Sequence, residues 1–387
     1  MSLDRKYLWF VLIAAMLLRL FTLGTYPLMD STEARYGEIA RLMVETGNWL
    51  TPLFDYDVPF WGKPPLFAWM SAIGIELFGL NEFSVRMPHW LAATLVLVFI
   101  AIFARKVAIN ALLATMVLAT TVVFIVAAGM VMTDMGLCVG ITLAMVGFYR
   151  GWFGERLWSY LSFVGLAIGL LAKGPLTVVL FGLTVGPWLL LRYGLVDGLQ
   201  QLWQRLPVLS GTALMLVIAV PWYVLAEQAT PGFLDYFLVG EHFQRFLVSG
   251  WQGDLYGSAH EEPKGMIWLF WLGACLPWSL VLPPLLWLQW QQLWQQRRDL
   301  GDKKSATPSQ YDKYRGLLSF LLFWMISPMV LFTFADNILE AYVLPGAPAL
   351  ALIIAYLLKK CGNKLWVQRT ATVALVLRTH VQLSTLA

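Results

Sequence analysis

Charge is what this chain has least of. Asp, Glu, Lys and Arg make up 13% of its 387 residues, against roughly 25% in a soluble globular domain. With 59% hydrophobic residues and a mean hydropathy of +0.67, a soluble globular protein is excluded, and so is a disordered chain. Cysteine is scarce too. Cys138, Cys275 and Cys361 are the only three, and their scatter excludes a disulfide scaffold and any zinc or redox spacing. They read as small buried hydrophobes. The formal net charge is only +4, and in a membrane protein the placement of Lys and Arg says more than their sum.

What the chain does have is apolar sequence and aromatic rings, 14% of the total with 19 Trp, a composition suited to lipid-facing and interfacial positions. The run from Tyr7 to about Gly24 is long enough for one crossing of about 20 residues. It has no evident small-residue cleavage site, so it reads as a retained first span. Further runs near 89–104, 107–129, 136–149, 158–172, 175–191, 208–226, 265–289, 317–335 and 342–358 bring the expectation to about ten spans. The expected fold class is therefore an all-α polytopic membrane protein. The apolar stretch from Leu66 to Leu80 is only about 15 residues, roughly 22 Å as a helix against a hydrocarbon core of roughly 30 Å. Opened by Pro64-Pro65 and closed by Gly79, it is expected to lie at the membrane surface.

Charge placement tests that choice. If 66–80 does not cross, Arg105-Lys106, Arg150/Arg156, Arg192/Arg205, the Arg297–Arg315 loop and Lys359-Lys360-Lys364 all fall on the side of Arg5-Lys6, which should be the cytoplasm. The other side receives two long loops, about 25–88 and 227–264. The first carries eight acidic and four basic residues and the second six and two. Loops of this length with many aromatics are expected to be structured and functional.

Polar clusters in those loops and turns are the chemical candidates. Asp30 and Glu33 open a helical pattern over 32–46 with Tyr36, Ile39, Ala40 and Met43 on one face and Gly47 as its stop. The same pair resembles a capping box, so capping and catalysis are both open readings. Lys63, between Phe60-Trp61 and Pro64-Pro65, can snorkel or hold a lipid phosphate. Asp134 is a lone carboxylate in a short turn between two spans, where an unpaired acid is costly. In Glu241-His242-Phe243-Gln244-Arg245-Phe246, His242 and Arg245 share a helical face, and Glu241 with Arg245 can form an i, i+4 pair. Tyr342 opens a span, as a belt anchor or as a donor to phosphate.

Taken in order, several motifs carry a family resemblance. They are Glu33-Ala34-Arg35-Tyr36-Gly37-Glu38-Ile39-Ala40-Arg41, Gly47-Asn48-Trp49, Lys63-Pro64-Pro65, Leu77-Phe78-Gly79, Arg86, Thr133-Asp134, Ala172-Lys173-Gly174-Pro175, the Glu241–Phe246 cluster and Tyr342–Pro345. This set resembles the bacterial branch of the lipid-dependent protein mannosyltransferase superfamily that includes the aminoarabinose lipid A transferase. The resemblance implies a GT-C type membrane bundle with surface-lying helices in the first periplasmic loop. It also implies an inner-membrane glycosyltransferase, probed from the periplasmic face, that moves a sugar from a polyprenyl-phosphate donor to lipid A or another envelope glycolipid, with inversion. In that scheme a carboxylate serves the acceptor and cations serve the departing phosphate. Asp30 or Glu33, with Asp134, take the first role, and Lys63, Arg245 and Tyr342, with Arg35 and His242, the second.

Three departures qualify the expectation. The family commonly places Asp directly before the glutamate of its first motif; Thr32 stands there, so the base is open between Asp30 and Glu33. It often places an acid before the lysine of the Lys-Pro motif; Gly62 stands there, which gives no support to a divalent cation between that loop and His242, and no obligatory metal or other cofactor is expected. Relatives usually continue into further spans and a periplasmic domain, whereas here residues 1–360 are read as the membrane domain and 361–387 as an unassigned tail. A lipid-linked-sugar transporter or flippase, and an inactive truncated homologue, are the alternatives. No nucleic-acid partner is expected.

Overall fold

The computed structural model describes residues 5–245, 253, 255–256, 262–299 and 316–361. The chain is helical nearly throughout. In order come α1 (Arg5–Thr22), α2 (Ser31–Thr46), a short antiparallel hairpin (Leu53–Asp55 with Val58–Pro59), α3 (Leu66–Phe78), α4 (Glu82–Lys106), α5 (Ala111–Ala119), α6 (Val122–Ala127), α7 (Thr133–Trp152), α8 (Arg156–Lys173), α9 (Leu176–Tyr193), α10 (Leu195–Arg205) and α11 (Val208–Ala229). A π-helix, Asp235–Gln244, follows, then α12 (Met266–Ala274), α13 (Trp278–Asp299), α14 (Leu317–Phe332), a 3₁₀ segment Glu340–Gly346 and α15 (Ala347–Cys361). Among the described residues, five helical segments are long and apolar enough to cross a membrane: α4, α7, α9, α11 and the continuous stretch Glu340–Lys360.

Two expected spans are not single helices. The run 107–129 is split into α5 and α6 at Thr120-Thr121, whose hydroxyls bond back to Met116 O (2.7 Å) and Val117 O (2.8 Å), while Val122 N donates across to Leu276 O (3.1 Å). Neither piece reaches the roughly 20 residues of a crossing. The run 265–289 bends by 98° between α12 and α13, where Pro277 supplies no amide to continue the ladder. The 361–387 tail, apart from Cys361 at the end of α15, and most of the 297–315 loop lie outside the described residues, as does part of 227–264.

The charge-sidedness expectation acquires direct contacts. Lys106, the last residue of α4, pairs with Glu155 between α7 and α8 (2.7 Å), Lys359 Nζ donates to Ala108 O (2.9 Å), and Arg205 reaches Trp152 O (3.5 Å). These basic ends therefore meet at one face of the bundle. At the opposite face α2 packs on α3 and α3 on α4, and Glu33 of α2 pairs with Arg86 of α4. Gly47 closes α2 in the left-handed region at φ 67°, and α3 runs between Pro65 and Gly79. The predicted face of α2, with Tyr36, Ile39, Ala40 and Met43, is buried, and Arg41 pairs with Glu38 (2.7 Å) and with Glu45 on the opposite face.

The tightest contact in the bundle joins α7 to α8. A Cβ on Gly140 would come within 2.6 Å of Gly169 N, and one on Gly165 within 2.6 Å of Gly140 O. Glycine here permits backbone-to-backbone packing, the usual way helices associate where lipid offers no hydrophobic driving force. Because the two helices are antiparallel, this contact brings the start of α7 to the end of α8.

Candidate active site

That antiparallel packing produces the first ion pair of the site. Asp134 stands in the first turn of α7 and Lys173 at the last residue of α8, and Lys173 Nζ lies 2.6 Å from Asp134 Oδ1, both side chains buried. The same ammonium sits 4.1 Å above the ring centroid of Tyr342, which packs on Phe332 at 4.7 Å. A buried carboxylate at a helix N-terminus with its own lysine is a satisfied charge. Lys173, one residue of the Ala-Lys-Gly-Pro motif, was not singled out as a site residue from sequence, although an ionisable side chain ending a membrane span is by itself a signal.

The π-helix supplies the second group. Glu241, with a side chain 3% exposed, accepts from Lys63 Nζ (2.6 Å) and from Arg245 Nη1 (3.0 Å). Burial alone would push the Glu241 carboxyl up, but Lys63 and Arg245 outweigh it and hold the group below the usual carboxylate range. The i, i+4 pair expected between Glu241 and Arg245 is thus part of a triad that also recruits Lys63 from the first loop. His242 lies against two carbonyls, Phe237 O at 2.7 Å and Lys173 O at 3.4 Å. Burial, with the nearby Lys63 cation, lowers its pKa against the opposing pull of those carbonyls and Glu241, so the imidazole is neutral at pH 7. Gly174, at φ 81°, gives it room, since a Cβ there would lie 3.1 Å from His242 Nε2.

Lys63, Lys173, Glu241, His242, Arg245 and Tyr342 open into one cavity of about 400 Å³, whose remaining wall is mostly apolar, from α9, α14 and the π-helix. Three cations and one carboxylate line it, and with Asp134 paired to Lys173 behind the wall the five groups together carry +1 in an apolar setting. The arrangement can accommodate an anion attached to an apolar body. Four of the five residues expected to bind substrate meet here. Arg35 does not line this cavity; it is half-buried on α2, beside the phenol of Tyr36. Tyr36 is buried, and its pKa is raised by that burial and by Tyr342, Asp134 and Glu241.

The first-motif acids take different positions. Asp30 is the N-cap of α2: its Oδ1 accepts from Thr32 N (2.8 Å) and Glu33 N (3.1 Å). It is exposed and lines a second cavity of about 430 Å³ with Thr32, Phe270, Leu339, Glu340 and Ala341. The 3₁₀ segment separates the two cavities, with Ala341 lining one and Tyr342 the other. Glu33 points inward. Its Oε1 and Oε2 accept from Arg86 Nε (2.9 Å) and Nη2 (2.7 Å), and Oε1 also from Val131 N (3.2 Å). Arg86 is fully buried and spends its other donors on the carbonyls of Leu23, Tyr26 and Pro27. The aspartate half of the expected capping box is present, and the glutamate half is directed to Arg86 instead.

The external loops close over this face. Tyr256 OH donates to Pro59 O (2.8 Å) and accepts from Trp61 N (3.1 Å), Trp61 Nε1 donates to Thr230 (3.0 Å), and Trp222 Nε1 to Leu50 O (2.9 Å). Among the described residues no three His, Cys, Asp or Glu side chains stand close enough to share a metal ion.

The fold is that of a multi-pass membrane protein of the GT-C type, with a cationic pocket under its external loops. Residues 7–237 match the family described as Dolichyl-phosphate-mannose-protein mannosyltransferase, and since that is well over half of the chain, the chain belongs to this family. An undecaprenyl phosphate-alpha-4-amino-4-deoxy-L-arabinose arabinosyl transferase of Shewanella sediminis is 30% identical over 352 residues, covering 88% of this chain and 57% of that protein. A Pseudomonas fluorescens protein with the same type of name is 27% identical, with 88% and 57% covered. The crystal structure of ArnT from Cupriavidus metallidurans bound to undecaprenyl phosphate superposes with a TM-score of 0.76 at 25% identity, covering 96% of this chain and 64% of that one. The chain thus spans less than two thirds of the length of these relatives. The oligosaccharyltransferase of Archaeoglobus fulgidus shares the fold alone, with a TM-score of 0.52 at 11% identity over 97% of this chain and 52% of that one.

Proposed function

We propose that the chain is a glycosyltransferase of the bacterial inner membrane, working at the periplasmic face, with residues 1–360 as its membrane domain. It moves a sugar, 4-amino-4-deoxy-L-arabinose by the names of its relatives, from undecaprenyl phosphate to lipid A or another envelope glycolipid. The observation that carries this reading is the gathering of Lys63, Lys173, Arg245 and Tyr342 in one largely apolar cavity.

In the proposed reaction an acceptor hydroxyl oxygen attacks the anomeric carbon. The bond from that carbon to the phosphate oxygen breaks, its electron pair leaves with the phosphate, and the configuration inverts. Lys63 and Arg245 meet the charge growing on the phosphate, which is where preorganised cations lower a barrier most. The Tyr342 hydroxyl donates to the same group. Asp30 takes the acceptor proton: its second oxygen is free of the helix cap, and it lines the neighbouring cavity. Glu33 and Asp134, each held in a buried ion pair, fix α2 and α7 around the reacting atoms, neutral His242 shapes the pocket rim, and Arg35 stands on α2 outside the pocket. The test is transfer from undecaprenyl phosphate-aminoarabinose to lipid A by the purified chain in liposomes. Sugar-bearing lipid A is the expected product, and donor binding with no transfer, or movement of intact donor between leaflets, would overturn the proposal.

A further inference from the structure

At the opposite end of the bundle lies a cavity of about 710 Å³, larger than either cavity at the candidate site. It is a groove between α1 and α4 floored by α5, which packs on both. The two long helices are drawn together at the external end, where Trp90 Nε1 donates to Met16 O (3.2 Å). Trp9, Ile13, Leu17 and Val98 are exposed along the groove's opening. Lining residues run from Arg5 to Leu17 on α1, a rise of about 18 Å, close to one leaflet of hydrocarbon.

Arg5, at the start of α1, and Arg105, near the end of α4, both line the groove on its basic side. Among the described residues neither forms an ion pair, and the Glu155 carboxylate on the same face is taken by Lys106 and Arg150. Residues 362–387 carry Lys364, Arg369 and Arg378 and no Asp or Glu, so their charge does not complement the arginines. Two guanidinium groups with no ion-pair partner among the described residues, above an apolar furrow one leaflet long, match one kind of occupant.

We propose that this groove is a binding site for an anionic diacyl phospholipid of the cytoplasmic leaflet, its phosphate on Arg5 and Arg105 and an acyl chain between α1 and α4. The probe is dioleoyl phosphatidylglycerol against dioleoyl phosphatidylcholine, followed by native mass spectrometry of the purified chain. Two arginines near a membrane surface should favour the anionic lipid by about tenfold or more, and R5Q/R105Q should abolish that preference without moving the melting temperature. Ala101→Trp, which fills the furrow and keeps both arginines, should also release the lipid. Equal retention of the two lipids, a preference that survives either variant, or full competition by soluble glycerol 3-phosphate would each overturn the proposal.

Discussion

Replacing Arg86 by Met isolates what the buried Glu33–Arg86 pair contributes. The guanidinium is fully buried and makes five hydrogen bonds, two to the Glu33 carboxylate and three to backbone carbonyls, with the Tyr26 ring 3.9 Å away. Without it, a carboxylate 4% exposed keeps only the Val131 amide, and three carbonyls lose their donor. Charged hydrogen bonds are worth about 1.5–3 kcal/mol each, but they do not add, and water entering the gap recovers part of the loss. Breaking one partner of a buried ion pair costs about 3–5 kcal/mol, which is the loss expected for R86M. The double variant E33M/R86M removes the orphaned charge and should be more stable than R86M by about 1–3 kcal/mol. Denaturant unfolding in detergent followed by Trp fluorescence measures wild type, E33M, R86M and the double variant. A loss below about 1 kcal/mol for R86M, or strict additivity in the cycle, would refute this account of Glu33 as a structural partner.

The remaining tests separate chemistry from packing. Asn caps a helix about as well as Asp, so Asp30→Asn should leave stability within about 0.5 kcal/mol while lowering transfer at least about 100-fold; D30N with normal turnover removes Asp30 from the reaction. Lys63→Met should weaken retention of undecaprenyl phosphate by at least about tenfold, since it takes away one charge-assisted contact, as read by binding of the labelled lipid. His242 binds its proton less readily in the folded protein than in the unfolded chain. Its contribution to stability is therefore complete above about pH 6.5 and falls as the pH drops through that value; melting temperatures of wild type and H242N should diverge above pH 6.5 and converge below it. Gly140→Val drives a side chain into the α8 backbone and should lower the yield of folded protein in the membrane, measured by size-exclusion profile.

Local pattern was enough for α2, whose buried face, left-handed stop at Gly47 and surface ion pairs all follow from residue spacing. It was enough as well for α3, too short to cross and punctuated by proline and glycine. It was not enough at 107–129, where the helix breaks at Thr120 and Thr121, their hydroxyls bonded to carbonyls of the preceding turn, in a stretch as apolar as any true span. The cationic cavity was legible as separate fragments, Lys63, the Glu241–Arg245 pair and Tyr342, but not as a single place. Which charge faces which depends on contacts across 178 positions of sequence, as between Lys63 and Glu241, and spacing carries no information at that range. For the same reason Arg86 and Lys173 stood in the motifs without an evident task. Each is defined only by the acid it meets from another helix.

The 3₁₀ segment that walls one cavity from the other spans seven residues, and in its first turn Glu340 and Ala341 face one side and Tyr342 the other. Under the proposed function, the surface that selects the acceptor and the surface that grips the donor are therefore consecutive residues of one rigid turn. A family that diversifies its acceptors by altering this turn would disturb the donor grip at the same time. New specificities would be expected to arise instead from side chains of α6 and α12 that face the acceptor cavity and do not themselves line the donor pocket.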